Sequence, residues 1–120
     1  MPKFMLILHE IPSEEYRNLS PEEIQGIIEK YRAWAGRLAA AGRLVGGAKL
    51  TDEGGKWMTM QKDRVSVVDG PYSEAKEVVG GYFMIRAEDY GEALDLARDC
   101  PHLAHGRIEV RQVDPTGEPD

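Results

Sequence analysis

The sequence has little of several features that would classify it at once. Cys100 is its only cysteine, so no disulfide can form within the chain and nothing indicates an oxidising compartment. The apolar run near the N-terminus, FMLIL at residues 4–8, is far shorter than a membrane span or the apolar region of a signal peptide. We therefore expect a cytoplasmic protein that does not enter the membrane.

An excess of positive charge is also absent. The 120 residues carry 15 Lys and Arg against 21 Asp and Glu, a net charge of −6, so attraction to nucleic acid is not expected. A chain of this length forms one domain with one core. We place that domain at residues 1–113 and expect residues 114–120, which lack periodicity, to form a flexible tail.

The motifs of the common enzyme classes are missing as well. The chain contains no phosphate-binding G-x-x-x-x-G-K-[ST], no G-x-G-x-x-G after a strand, no H-E-x-x-H, no C-x-x-C and no G-x-S-x-G. We therefore predict no metal site and no cofactor.

What the sequence does contain is a regular succession of strand and helix patterns. The run at 4–8 predicts a central strand covered on both faces. Ser20 and Glu23 form the capping box of a helix that ends at Gly42, and Asp89 caps a second, shorter helix. Further strands are predicted at residues 43–50, 80–86 and 107–113.

Residues 56–69 alternate apolar and polar side chains about a Lys-Asp turn, which predicts a surface hairpin with one buried face. Without this inserted hairpin the order is strand, helix, strand, strand, helix, strand, a ferredoxin-like split βαβ unit of the α+β class. Its helices cover one face of the sheet. Met5, Ile7 and Val110 need cover on the other face, so we expect a homodimer in which two sheets face each other.

Several side chains are candidates for chemistry, each with a structural alternative. His9 closes the first strand, where a functional histidine and a satisfied structural one are both expected. Tyr31 and Trp34 lie three residues apart and form either core packing or a pocket wall with a weak proton donor. Asp69 either makes an Asx-type turn, with Gly70 supplying unusual dihedrals, or is a rigid carboxylate that orients or deprotonates a substrate.

Two polar segments are expected to be solvated. Glu74, Lys76 and Glu77 form a charged turn whose residues either face water or contribute to a site. His102 and His105 lie in the segment CPHLAHG, where proline and glycine oppose a long helix and no third metal ligand is near. We expect both histidines in a solvated loop.

The stretch DGPYSEAKEVVGGYFMI, residues 69–85, resembles the signature of the YCII-related family in its DGPF subgroup. The shared pattern is Asp-Gly-Pro-aromatic, Glu, Lys-Glu, and then Gly-Gly-Tyr before an apolar strand. The matching positions are Asp69, Gly70, Pro71, Tyr72, Glu74, Lys76, Glu77, Gly80, Gly81 and Tyr82. The likeness extends along nearly the whole chain. It implies a ferredoxin-like fold assembled as a dimeric α+β barrel.

The resemblance implies less about function. Members of the wider YCII group have a cleft with a His-Asp pair proposed for acid-base work, and one degradative relative eliminates chloride from a chlorinated hydroquinone. In this sequence Tyr31 occupies the position of that histidine. Because an unperturbed tyrosine is a poor base at neutral pH, the dyad mechanism does not transfer directly.

Three hypotheses follow. In the first, a homodimer binds an unidentified small polar molecule in a cleft with Asp69, Tyr31 and His9, with cofactor-free lyase- or isomerase-type chemistry as an extension. Ligand contacts are predicted at Trp34, Tyr72, Glu74 and Lys76. In the second, the protein is a regulatory partner of an extracytoplasmic-function sigma factor, since DGPF members are often encoded beside one. In the third, the signature is scaffold and Asp69 fixes a turn.

Overall fold

A computed structural model of the protein describes residues 1–11, 18–70 and 77–117. Its strands are β1 (Lys3–Glu10), β2 (Leu44–Lys49), β3 (Lys56–Gln61), β4 (Arg64–Asp69), β5 (Val78–Arg86) and β6 (Gly106–Gln112). Its helices are α1 (Pro21–Ala40) and α2 (Tyr90–Ala97), with short 3-10 helices at Pro101–Ala104 and Pro115–Gly117. The predicted α+β class and order of elements are confirmed. No helix among the described residues is long and apolar enough to cross a membrane.

Four strands form one antiparallel sheet in the order β2-β5-β1-β6. The apolar strands β1 and β5 occupy its centre, as their composition predicts, and this order is consistent with a ferredoxin-like fold. Residues paired directly across strands share a face of the sheet. Leu6, for example, pairs with Phe83 and Val110, and all three point to the helices' side.

The core lies between the helices and one face of this sheet. Its buried members are Phe4, Leu6, Trp34, Leu38, Ile85, Ala87, Ala93, Ala97 and Cys100. The opposite face, called the open face below, carries Met5, Ile7, Tyr82 and Met84, which are only half-buried. Two expectations are corrected here. β1 is covered on one face rather than two within the chain, and Val110 packs against the core because its register with Leu6 turns it towards the helices.

Both predicted helix starts are confirmed. The Ser20 hydroxyl accepts a hydrogen bond from the backbone N–H of Glu23 at 3.1 Å, and the Glu23 carboxylate accepts one from the backbone N–H of Ser20 at 3.4 Å. The Asp89 carboxylate caps α2 by accepting a hydrogen bond from the backbone N–H of Glu92 at 2.9 Å. Each such cap stabilises a helix by about 1 kcal/mol. Gly42 follows α1 with a φ of 73°, a conformation that favours glycine.

Strands β3 and β4 form a separate two-stranded hairpin. Lys62 and Asp63 form its turn with φ values of 44° and 64°, as a tight hairpin turn of type I′ requires. The expectation of a buried face is wrong, because every residue of β3 is exposed and β4 has only Ser66 half-buried. One face of the hairpin carries four apolar side chains that are between 54% and 68% exposed. This hairpin patch consists of Met58, Met60, Val65 and Val67.

The glycine pair of the signature has a structural explanation. The register between β1 and β5 shifts after Leu8, which makes Gly80 the extra residue of a β-bulge. A Cβ atom on Gly80 would clash with the carboxylate of Glu10, and one on Gly81 would lie 2.7 Å from the carbonyl oxygen of Ala48. Gly81 therefore requires the absence of a side chain, because a backbone oxygen cannot move aside, whereas the carboxylate near Gly80 is the end of a flexible side chain.

A side chain at Gly70 would also clash with its neighbours. Its φ is not among the positive values, so the expectation that it supplies unusual dihedrals is wrong. A Cβ atom there would lie 2.6 Å from the carbonyl oxygen of Gly54 and against the indole of Trp57. The glycine of the Asp-Gly-Pro sequence thus permits close packing at the base of the hairpin.

The chain end after β6 begins with a defined turn. The Asp114 carboxylate accepts hydrogen bonds from the backbone N–H of Thr116 at 2.9 Å and from its hydroxyl at 2.7 Å. These contacts hold the 3-10 helix at Pro115–Gly117. Residues 118–120 lie outside the described residues, and flexibility of the whole tail stays a prediction.

Candidate functional site

Five charged or titratable side chains meet where β1 and β6 pair near the C-terminal end of β1. They form the His9 cluster, which consists of His9, Glu77, Arg107, Glu109 and Arg111. Glu109 pairs with Ile7 and Arg111 pairs with Met5, so alternation along β6 places both charged side chains on the open face, opposite to Val110. His9 lies two residues beyond Ile7 and points to the same face.

The centre of the cluster is a histidine–carboxylate pair. Nε2 of His9 lies 2.9 Å from Oε1 of Glu109. Because a carboxylate only accepts hydrogen bonds, Nε2 carries the hydrogen and donates it. Nδ1 of His9 lies 4.0 Å from Oε2 of Glu77, and the imidazole side chain is 23% exposed. Nδ1 is therefore the ring atom at which a proton could be gained or lost.

Both carboxylates of the cluster are held in the charged form. The hydrogen bond from His9, followed by that from Arg111, lowers the pKa of Glu109 below its ordinary range. The hydrogen bond from Arg107, at 2.6 Å, lowers the pKa of Glu77 in the same way, and Glu77 raises the pKa of Arg107 in return. The two negative charges of the carboxylates equal the two positive charges of the guanidinium groups. A proton added to His9 would therefore give the cluster one net positive charge.

This arrangement suits proton transfer better than metal binding. In residues 1–11, 18–70 and 77–117, no group of three or more His, Cys, Asp or Glu side chains is placed to hold a metal ion. Each carboxylate of the cluster already pairs with a guanidinium group, which opposes a second cation. A histidine oriented by a carboxylate is the usual arrangement of a general base.

Sequence reasoning missed one residue of this region. His102 is 1% exposed, so its assignment to a solvated loop is wrong. Its Nε2–H donates to the backbone carbonyl of His9 at 2.8 Å, and its Nδ1 accepts the hydroxyl hydrogen of Tyr31 at 3.1 Å. The 3-10 helix at Pro101–Ala104 turns this ring inward. Gly106 was the available signal, because a Cβ atom there would lie 2.9 Å from Nε2 of His102.

The structure places the predicted site residues in three separate environments. Tyr31 approaches β1 from the helix side, whereas the imidazole of His9 lies on the open face. Tyr31 bonds to His102, which in turn bonds to the backbone carbonyl of His9, and this chain of two hydrogen bonds connects the two faces. Trp34 is buried in the core, and its indole N–H donates to the carbonyl of Leu96 at 3.2 Å and to Asp99 at 3.1 Å. Trp34 therefore takes the core-packing alternative.

Asp69 lies at the end of β4 and forms an ion pair with Lys56, the residue opposite it in the hairpin. Its side chain is 79% exposed. Among the described residues, Asp69 thus contacts Lys56 and is not joined to Tyr31 or His9. The backbone amides that an Asx turn would use, and the predicted ligand contacts Tyr72, Glu74 and Lys76, lie outside the described residues.

Fold and site together define a small α+β protein with a histidine–carboxylate pair on one face of its sheet. A sequence model of the YCII-related domain matches residues 3–116. The chain is also 33% identical over 96 residues to an uncharacterized protein of Rhizobium meliloti (strain 1021). The alignment covers 76% of this chain and 70% of that protein. This chain belongs to the YCII-related family. The resemblance seen in its signature is confirmed at that level.

Proposed function

We propose that this YCII-related protein binds a small polar molecule at the His9 cluster and that His9 exchanges a proton with it. The observation that carries the proposal is the 2.9 Å contact between Nε2 of His9 and Glu109. Glu109 orients the ring and stabilises the imidazolium form, so that Nδ1 can act as the base. A base that takes a proton from one atom of the ligand and returns it to another supports a cofactor-free isomerisation, and the same abstraction with departure of a leaving group that takes up the proton supports a lyase reaction.

The other residues of the predicted site have different roles in this proposal. Glu109 replaces Asp69 as the essential carboxylate, because Glu109 touches His9. Tyr31 becomes a positioning residue, since it holds His102, which in turn holds the backbone of His9. The guanidinium groups of Arg107 and Arg111 are largely exposed and each has further N–H donors for an acidic or carbonyl group of the ligand.

The proposal includes a cytoplasmic homodimer of the DGPF type, in which the open faces of two sheets form a barrel and the walls of the binding cleft. The half-exposed apolar side chains of the open face support it, since two such faces can cover each other. Light scattering should give twice the chain mass of 13.4 kDa. Met84→Glu should dissociate the dimer, whereas Leu94→Glu, on the exposed side of α2, should not.

Ligand binding can be tested by thermal shift with a panel of small organic acids, ketones and phenols. A ligand of the cluster should raise the melting temperature of the wild type and of Glu88→Gln, an exposed glutamate outside the cluster. The same ligand should act weakly on His9→Gln and Glu109→Gln. Equal shifts in all four proteins would place the ligand elsewhere.

Proton exchange needs a second measurement. In deuterium oxide, the wild type should catalyse the appearance of deuterium beside a carbonyl group of the bound ligand, as NMR would record. His9→Gln should lose this exchange more completely than it loses binding. Exchange that survives in His9→Gln would remove acid-base chemistry from the proposal and leave a binding protein.

A second candidate function is regulation through a protein partner such as an extracytoplasmic-function sigma factor. The hairpin patch favours it, because four contiguous apolar side chains on an isolated hairpin need cover. The net charge of −6 suits a basic partner. Where an extracytoplasmic-function sigma factor is encoded beside this protein, its capture should fail with Met58→Glu and persist with Thr59→Glu, on the opposite face of the hairpin.

A further inference from the structure

A concave region lies on the helix side of the molecule, away from the His9 cluster. It is a groove of about 460 Å³ between α1 and the segment that follows α2. Its volume falls within the range of small-molecule sites, about 300–1,000 Å³. One row of α1, including Lys30 and Arg37, forms one wall, and Asp99 and His105 belong to the other. Lys30 and Arg37 are two helical turns apart and therefore face the same side.

The net charge of the groove lining is positive, whereas the net charge of the whole chain is negative. Nη2 of Arg37 lies 3.3 Å from Oδ2 of Asp99, while Oδ1 of Asp99 accepts the indole N–H of Trp34. Both oxygens of this carboxylate are thus engaged, whereas the guanidinium group has five donors and keeps others for a ligand. With Lys30, the lining carries two positive groups against one negative group, in a chain of net charge −6.

The remaining lining is apolar. Ile27 and Ala33 contribute from α1, and Pro101 and Ala104 contribute from the 3-10 helix. A small, fully hydrated ion would leave these surfaces uncovered. A ligand that satisfies both parts of the lining has an acidic group at one end and an apolar body at the other.

We propose that this groove binds a small aromatic or aliphatic carboxylate, with the acidic group between Lys30 and Arg37 and the apolar body against Ala33 and Pro101. The groove is separate from the His9 cluster, since it lies on the helix side of the sheet and the cluster lies on the open face. Pairing of two open faces leaves it accessible. Its occupation does not depend on the function proposed for His9.

Titration calorimetry with three probes tests the chemistry of the ligand. Benzoate has both the charge and the ring, benzamide has the ring without the charge, and acetate has the charge without the ring. We expect benzoate to bind at least about tenfold more tightly than either of the others, since a charge-assisted hydrogen bond and a buried ring each contribute. Equal binding of benzoate and benzamide, or no binding of benzoate, would overturn the proposal.

Variants test the location. Lys30→Gln should weaken benzoate about tenfold, whereas Lys62→Gln, which changes the net charge equally at the hairpin turn, should have no effect. Ala33→Leu keeps every charge and fills the groove, so it should also weaken binding. In a His9→Gln background, where binding of acids at the His9 cluster is weakened, Lys30→Gln should still lower benzoate affinity about tenfold. Equal losses in the two lysine variants, or no loss from Lys30→Gln in the His9→Gln background, would contradict this site.

Discussion

The buried imidazole of His102 donates a hydrogen bond from Nε2 to the backbone carbonyl of His9 across 2.8 Å. His102 is the one buried polar side chain in the described part of the chain, and its other nitrogen accepts the hydroxyl of Tyr31. The end of β1 that presents His9 on the open face is therefore held from the helix side. This link connects a side chain of α1 to the strand end that carries His9, which that side chain does not touch.

Tyr31→Phe tests this link. The substitution leaves Nδ1 of His102 buried without its donor, which should lower the free energy of unfolding by about 1–3 kcal/mol in urea denaturation. The matched control is Tyr90→Phe. The Tyr90 hydroxyl accepts the backbone N–H of Gln112, but that contact is exposed and water can replace it. Equal losses of unfolding free energy in the two variants would show that the hydrogen bond to His102 stabilises the protein no more than the exposed one does.

The glycine pair of the signature makes a second prediction. In Gly81→Ala the new methyl group meets the backbone oxygen of Ala48, which cannot rotate away. We expect a loss of about 1–3 kcal/mol, the usual cost of overpacking. Gly36→Ala is the control, because a Cβ atom there has no neighbour within 4 Å. Since alanine favours a helix, this variant should gain about 0.5–1 kcal/mol in thermal or urea denaturation.

The pair of Glu77 and Arg107 predicts a dependence of stability on pH. The hydrogen bond from Arg107 lowers the folded-state pKa of Glu77 below its ordinary value of 4.5. A carboxyl group of this kind stabilises the folded protein above pH 4.5, and the stabilisation is lost as the pH falls through the lower, folded-state value. Glu77→Gln should therefore lower the free energy of unfolding at neutral pH, and its difference from the wild type should shrink in acid.

The double variant provides the check on this assignment. In an Arg107→Gln background most of the effect of Glu77→Gln at neutral pH should disappear, because the main cause of the lowered pKa has been removed. An unchanged effect would assign the stabilisation to another neighbour of Glu77.

Cys100 should be unreactive in the folded protein. Its side chain is buried in the core, and burial raises the pKa of the thiol above its ordinary value of 9.0. The reactive thiolate is therefore scarce at neutral pH and inaccessible to reagents. A disulfide reagent should label the thiol quickly in urea and only at the rate of unfolding in buffer. Rapid labelling of the folded protein would contradict the burial of this segment.

Much of the fold could be predicted from the sequence because it depends on neighbouring residues. The caps at Ser20 and Asp89 join atoms three residues apart, and the alternation along β6 fixes which side chains share a face. The hairpin turn was also predicted. The predicted buried face of the hairpin is exposed in the structure. Alternation of apolar and polar residues indicates that one face is apolar, but it does not indicate whether another part of the same chain packs against that face.

The sequence by itself determined the α+β order, the helix ends and the family. Only the tertiary structure decided the composition of the candidate site. His9 and Glu109 are 100 residues apart, and nothing local indicates that the pairing of β1 with β6 brings them together. The local sequence around His102 is typical of a loop, but in the structure a 3-10 helix places its side chain beneath β1. Contacts of this kind depend on strand register and on the packing of distant elements, which short-range patterns do not specify.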